Sequence, residues 1–131
     1  MYILDTNICI YVIKKKPISV IQNLRTKRVD EVGISSITLA ELEYGVSKSN
    51  AKEKNRLALA EFMVPFEIFN FDGVASSIYG DIRCRLEKRG QPIGPLDTLI
   101  AAHAISLDAI LVTNNMKEFE RVDSLKCETW T

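Results

Sequence analysis

Three carboxylates stand out by position: Asp5 at the end of a short apolar run, Glu41 in the middle of a helical segment, and Asp97 just inside another. If the fold brought them together they would repel one another, raising the proton affinity of at least one. A divalent cation removes that conflict. Mg²⁺ prefers hard oxygen ligands and keeps several waters, and is usually held by one or two carboxylates plus substrate phosphate. Mn²⁺ suits the same donors. Such an ion lowers the pKa of a bound water, orients it against a phosphodiester and neutralises charge developing on phosphate. That chemistry needs no histidine. The chain has one, His103, set mid-helix between Ala102 and Ala104, where a structural role is expected.

Each acid also has a plainer use. Asp97 follows Pro95, a residue suited to the first helical position. Taken alone it is best explained as a charge favoured by the helix dipole, worth about 0.3–1 kcal/mol. Thr38-Leu39-Ala40-Glu41 has the spacing of a capping box, in which the Glu returns to a backbone donor. Ser35 or Ser36 would cap an earlier start equally well and release Glu41. Glu43 shares the helix but projects about 200° away, so only one of the two can face Asp5. Thr113-Asn114-Asn115 ends an apolar run with three polar residues, which suits a turn as well as a site.

These residues must be positioned by elements. Tyr2-Ile3-Leu4 reads as a strand buried on both faces, with Asn7 as N-cap of a helix over Ile8 to Ile13. Lys14-Lys15-Lys16-Pro17 ends that helix, and Ile18 to Leu24 forms a second. Val32 to Ile34 is a strand leading to a helix through Leu39, Leu42 and Val46. Ala51 to Met63 is helical, and Phe66 to Phe71 alternates like a strand. Asp72 caps a long helix to about Arg89, with Val74, Ile78, Ile82 and Leu86 at i+4 spacing. After the loop Gly90 to Pro95 comes an apolar helix from Leu96 to Leu107. Ile110 to Thr113 is a fourth strand and Lys126-Cys127-Glu128 a fifth. Strands alternating with helices predict an α/β fold whose mostly parallel sheet is covered on both faces. Asp5 would then lie at the carboxyl edge of that sheet, where ligands bind.

Composition sets the limits. The 131 residues suffice for one domain, with 47% hydrophobic and 26% charged side chains, as in a soluble globular chain. Lys plus Arg and Asp plus Glu each number 17, so a polyanion partner requires local clustering of cations. Cys9, Cys84 and Cys127 lack metal-ligand spacing and suit reduced thiols in a cytoplasmic chain. No signal peptide or membrane segment is expected.

Asp5-Thr6-Asn7, Ser36 to Gly45 around Glu41, Gly90-Gln91-Pro92-Ile93-Gly94-Pro95-Leu96-Asp97, and Thr113-Asn114-Asn115 with Glu118-Phe119 together resemble the PIN-domain toxins. More narrowly, they resemble the VapC ribonucleases of bacterial toxin–antitoxin pairs. The likeness is ordered along nearly the whole chain, and its most specific piece is the loop Pro92-Ile93-Gly94 leading to Asp97. It implies a single PIN-like nuclease domain over residues 1–131, with a three-layer α/β/α fold and a sheet of four to five strands. It implies catalytic positions at Asp5, Glu41, Asp97 and Asn115, with Asp5 and Asp97 as metal ligands. Thr6, Asn7, Thr113 and Glu118 would line the pocket. The implied ion is Mg²⁺, with Mn²⁺ able to substitute. The implied partners are an RNA substrate (transfer RNA first, initiator tRNA in particular), a VapB-type antitoxin and a second copy of the chain. One departure matters: many PIN domains carry an acid where Asn115 stands. A second tightly held ion is then in doubt unless Glu118 or Glu120 swings in.

RNA also needs cations. Lys14, Lys15 and Lys16 form one cluster, and Arg83 and Arg85, with Lys88 and Arg89, another. Each suits a solvated face as well as a phosphate track. Tyr11, Tyr44 and Phe69 could stack bases, although core packing explains Phe69 equally well. A receiver domain would need paired acids early and a Lys farther beyond Thr113 than Lys117. A haloacid-dehalogenase-like phosphatase would need Asp where Asn7 stands. The alternative from another class is a binding module with a PIN-like shape, silenced at Asn115.

Overall fold

The computed structural model describes residues 1–131. Its elements are β1 (Tyr2–Leu4), α1 (Thr6–Lys14), α2 (Ile18–Arg25), a 3₁₀ turn (Val29–Glu31), β2 (Val32–Ser35), α3 (Ser36–Lys48), α4 (Lys52–Met63), β3 (Glu67–Phe69), α5 (Gly73–Lys88), α6 (Pro95–Ser106), β4 (Ile110–Val112), α7 (Met116–Phe119) and β5 (Lys126–Glu128). The strands form one sheet in the order β3-β2-β1-β4-β5, and every pairing is parallel.

Alternation along the strands sorts the core into two layers. Ile3 and Leu111 point to the side where Ile82, Leu86, Ile100, Ala101 and Phe119 pack, from α5, α6 and α7. Their neighbours Leu4 and Val112 point the other way, onto Ile8, Cys9, Val20, Leu42, Val46 and Leu59 from α1 to α4. Both faces are therefore covered, and β1 and β4 read as unbroken apolar runs for that reason. Gly33 leaves room for its neighbour strand: a Cβ there would lie 2.3 Å from the Phe69 ring, so Phe69 is a packing residue.

The topology dictates where a site can be. From β1 the chain steps outward to β2 and β3, then returns to β4 on the opposite side of β1. The crevice beyond the carboxyl ends of β1 and β4 is the switch point, where open α/β sheets bind ligands.

Three local expectations need correction. Asn7 is not a cap. The strand turns into α1 through Asp5, whose extended backbone and carboxylate take the N-cap role, while Asn7 is exposed in the first turn. Val74 does not join the buried stripe of α5 and is 62% exposed. Positions four apart drift about 40° per step around a helix of 3.6 residues per turn, so a line drawn through Ile82 and Leu86 leaves the core face by Val74. The Phe66 to Phe71 run pairs only over Glu67–Phe69, because β3 is an edge strand with one neighbour. No helix is long and apolar enough to cross a membrane.

Candidate active site

Asp5 is buried at the end of β1, and both of its oxygens are engaged. Oδ1 accepts the Thr6 backbone N–H at 2.8 Å, and Oδ2 accepts the Thr113 hydroxyl at 2.9 Å. The Asp5 backbone N–H in turn donates to the Val112 carbonyl at 2.9 Å, so the parallel pairing of β1 with β4 fixes the carboxylate. Burial raises the Asp5 pKa, the two hydrogen bonds oppose that rise, and the negative charge of Glu118 adds to it.

Glu41 is released from capping. Ser35 caps α3, its hydroxyl accepting the Ile37 N–H at 3.1 Å. The helix thus begins two residues before Thr38, and Glu41 lies in its second turn. There it accepts the Thr6 hydroxyl at 2.8 Å. Glu43 points away and pairs with Arg56 at 3.4 Å on the surface.

Asp97 enters from the first turn of α6, behind Gly94 as N-cap and Pro95. It is half-buried, and its pKa is pushed up to about 7, first by burial and then by the charges of Glu118, Asp5 and Glu41. The acid whose charge acts on it most, Glu118, sits in α7 beyond β4. Burial pushes Glu118 up. The Gly94 N–H at 3.0 Å, the Asn115 amide and the Asp97 carboxyl outweigh that and hold Glu118 below its usual value. An atom placed on the Gly94 Cα would lie 3.7 Å from an Asp97 oxygen and 3.9 Å from a Glu118 oxygen.

Four acids, Asp5, Glu41, Asp97 and Glu118, thus meet at one crevice from four separate elements. No three of them close around a common point as a ready ligand set. A hard cation can still fit, because Mg²⁺ needs only one or two carboxylates beside water and phosphate. The donor set is all oxygen, and the raised pKa of Asp97, caused by burial and then by the charges of Glu118, Asp5 and Glu41, marks where negative charge lacks a counterion.

Asn115 donates its amide to Glu118 and its backbone N–H to the Thr113 hydroxyl at 3.0 Å, so it carries the fourth acid instead of replacing it. Asn114 bonds the Tyr11 hydroxyl at 2.6 Å. Asn7, expected to line the pocket, makes no side-chain hydrogen bond and is exposed at the rim. His103 is a buried packing residue: its Nδ1 lies 2.7 Å from the Ser35 hydroxyl, its ring meets the edge of Phe71, and burial lowers its pKa. Burial drives the Cys9 thiol far upward, leaving it unreactive.

The expected cation groups separate. Lys14, Lys15 and Lys16 are exposed at the end of α1. Arg83 is committed to Tyr79 at 2.9 Å and Glu87 at 3.3 Å on its own helix, whereas Arg85 is exposed and unpaired. Tyr44 is exposed under the Lys48 ammonium. Beside Glu41, a groove of about 270 Å³ runs between α1, α3 and α4, lined by Ile10, Ile13, Leu42, Val46 and Leu59. Sequence reasoning did not foresee the Glu118–Gly94 bond. Its one signal was the three-residue spacing of Asn115 and Glu118, which places both on one side of a short helix.

The PIN domain family model matches residues 2–125. Ribonuclease VapC2 of Rickettsia felis is 49% identical over 131 residues, covering 99% of this chain and 98% of that protein. The tRNA(fMet)-specific endonuclease VapC of Shigella flexneri is 43% identical over 130 residues, with 99% and 98% coverage. Among solved structures, VapBC2 from Rickettsia felis bound to a DNA fragment from its promoter superposes with a TM-score of 0.93 at 48% identity, covering 99% of this chain and 98% of the other.

Proposed function

The chain belongs to the PIN-domain family and within it to the VapC ribonucleases, and from that premise we propose that it is a metal-dependent endoribonuclease acting through the crevice of Asp5, Glu41, Asp97 and Glu118. The observation that carries this reading is the convergence of Asp5, Glu41, Asp97 and Glu118 at the sheet's switch point. Burial and the neighbouring charges raise the Asp97 pKa, and a cation relieves that repulsion. Asp5 and Asp97 would hold Mg²⁺, or Mn²⁺ in its place. Once bound there, the ion supplies charge neutralisation on the scissile phosphate and an acidified water.

The chain's own residues do the rest. Thr6 and Thr113 lock the Asp5 rotamer, so its oxygens need no reorganisation when a cation enters. Glu41 keeps one oxygen on the Thr6 hydroxyl, leaving the other to orient an attacking water. Asp97, in the first turn of α6, would complete the cation site from the other side of the crevice. Glu118, held ionised by the Gly94 N–H and the Asn115 amide, supplies the charge that Asn115 lacks. The silent-module alternative rests on that missing charge, which Glu118 beside Asn115 would supply.

The Shigella relative's name motivates transfer RNA, initiator tRNA in particular, as substrate. The Rickettsia VapBC2 complex motivates a VapB-type antitoxin as partner, and the apolar groove beside Glu41 suits an amphipathic segment of it. A cytoplasmic toxin assembled as a homodimer completes the proposal. The test is incubation of the purified chain with tRNA, with Mg²⁺ or Mn²⁺ and then with chelator. Discrete cleavage that needs metal and disappears in Asp5→Asn supports it. Metal-independent cleavage, or none in either ion, overturns it.

A further inference from the structure

A second charged cluster lies against the acidic crevice and takes no part in it. The loop before α6 and the end of α7 border an open surface depression lined by polar residues: Arg89, Gln91, Lys117, Glu120, Arg121 and Asp123. Its three cations outnumber its two carboxylates, Glu120 and Asp123, by one. Arg89 is engaged, pairing with Asp123 at 2.9 Å and donating to the Arg121 carbonyl. Arg121 donates to the Pro92 carbonyl at 3.0 Å and has no carboxylate in ion-pair contact. It is nonetheless near enough to Glu118 to favour that residue's ionised form. Lys117 is exposed and pairs with nothing. One unpaired cation therefore precedes Glu118 by one residue, and another follows it by three.

A nucleic-acid strand entering a crevice of four acids is repelled along its backbone, and the bound ion serves only the scissile phosphate. The neighbouring phosphates need cations of their own. We propose that this depression is a phosphate subsite for the RNA strand, in which Lys117 and Arg121 bind the phosphate next to the scissile one. The proposal rests on the ribonuclease reading. Arg121 spends one N–H on Pro92 and keeps others of its five for an anion, and Gln91 adds a neutral donor. An all-polar lining offers little to an apolar peptide.

The test compares the parent with Lys117→Glu, an exposed position that leaves the fold alone, and with Lys117→Gln/Arg121→Gln. The probes are an oligoribonucleotide spanning the cleaved bond and versions truncated on either side to remove the adjacent phosphate. In the double variant, KM should rise about tenfold with kcat within about twofold. The plot of log affinity against log salt should flatten by about one. One truncated RNA should bind the parent as weakly as full-length RNA binds the variants, and should not respond to substitution. An unchanged KM and salt slope in both variants overturns the proposal, as does equal loss on every truncated RNA. So does a fall in kcat alone, which would make these residues supports of Glu118. Weakened antitoxin capture with parental RNA affinity would assign the depression to the protein partner instead. Affinity and salt slope are measured without cleavage, so a parent that cuts nothing refutes the ribonuclease reading separately.

Discussion

Replacing Asp97 by Asn turns the charge argument into a measurement on metal-free protein. A carboxyl raised from its ordinary 3.8 to about 7 corresponds to about 4 kcal/mol if no solvent reached it. Asp97 is half-buried, and screening reduces this to about 1–2 kcal/mol. The sign follows from linkage. The folded chain binds the extra proton between pH 3.8 and about 7, so this group's stabilising contribution is complete below that window and is lost as pH rises through it. Asn carries no proton and can still donate an N–H to Glu118. Urea or thermal unfolding in chelator should therefore give equal stabilities near pH 4 and a variant ahead by about 1–2 kcal/mol at pH 8, or about 4–8 °C in Tm. Adding Mn²⁺ at pH 8 should reverse the order, because the parent gains binding free energy that the variant lacks. A difference that does not vary with pH, or a variant less stable at pH 8, would refute the reasoning and make Asp97 a helix-dipole acid.

Asn115→Asp puts a carboxylate against Glu118; it should lower metal-free stability by about 1 kcal/mol and steepen the dependence of Tm on Mn²⁺, whereas an unchanged melt would leave Asn115 a turn residue. Ser35→Ala strands the buried His103 Nδ1 and removes the cap of α3, and should cost about 1–3 kcal/mol in unfolding experiments. Because burial lowers the folded pKa of His103 below 6.5, its stabilising contribution is present above that pH and is lost as pH falls below it; His103→Gln should remove this acid-side slope. Ala58→Arg fills the groove beside Glu41, so antitoxin binding should fall at least about tenfold in calorimetry while RNA cleavage persists. Arg83→Ala with Arg85→Ala should flatten the salt dependence of RNA binding by about 0.7 per lost single-strand phosphate contact. Most of that change should come from Arg85, because Arg83 is held by Glu87.

The parallel sheet was legible because β1 and β4, buried on both faces, leave uninterrupted apolar runs. Asp5 was legible because it interrupts one of them. Glu41 and Asp97 were visible as residues but ambiguous as functions, since the choice between cap and site turns on where a helix begins. Ser35 settles that for α3 by one hydrogen bond that no pattern of side-chain types specifies. The cap at Asp5 was misread for a related reason: an N-cap and a buried acid were treated as separate duties, and one carboxylate performs both. Val74 was misplaced because a regular i+4 spacing looks like a face and is in fact a slow spiral. Glu118 was the hardest to weigh, because its role depends on a backbone N–H at Gly94, far away in the chain, and the identity of a glycine says nothing about where its amide points.

The four acids stand at positions 5, 41, 97 and 118, and Asp5 is locked by Thr113. Of the two parallel neighbours of β1, one is drawn from the last quarter of the chain. While the polypeptide is being synthesised, the first acid therefore waits for nearly all of the others. A fragment that stops before residue 110 lacks the strand beside β1, the hydroxyl that holds Asp5, and Glu118 with the cations around it. An enzyme directed against RNA, built on a ribosome, thus has no complete set of its four acids until residue 118 has been added.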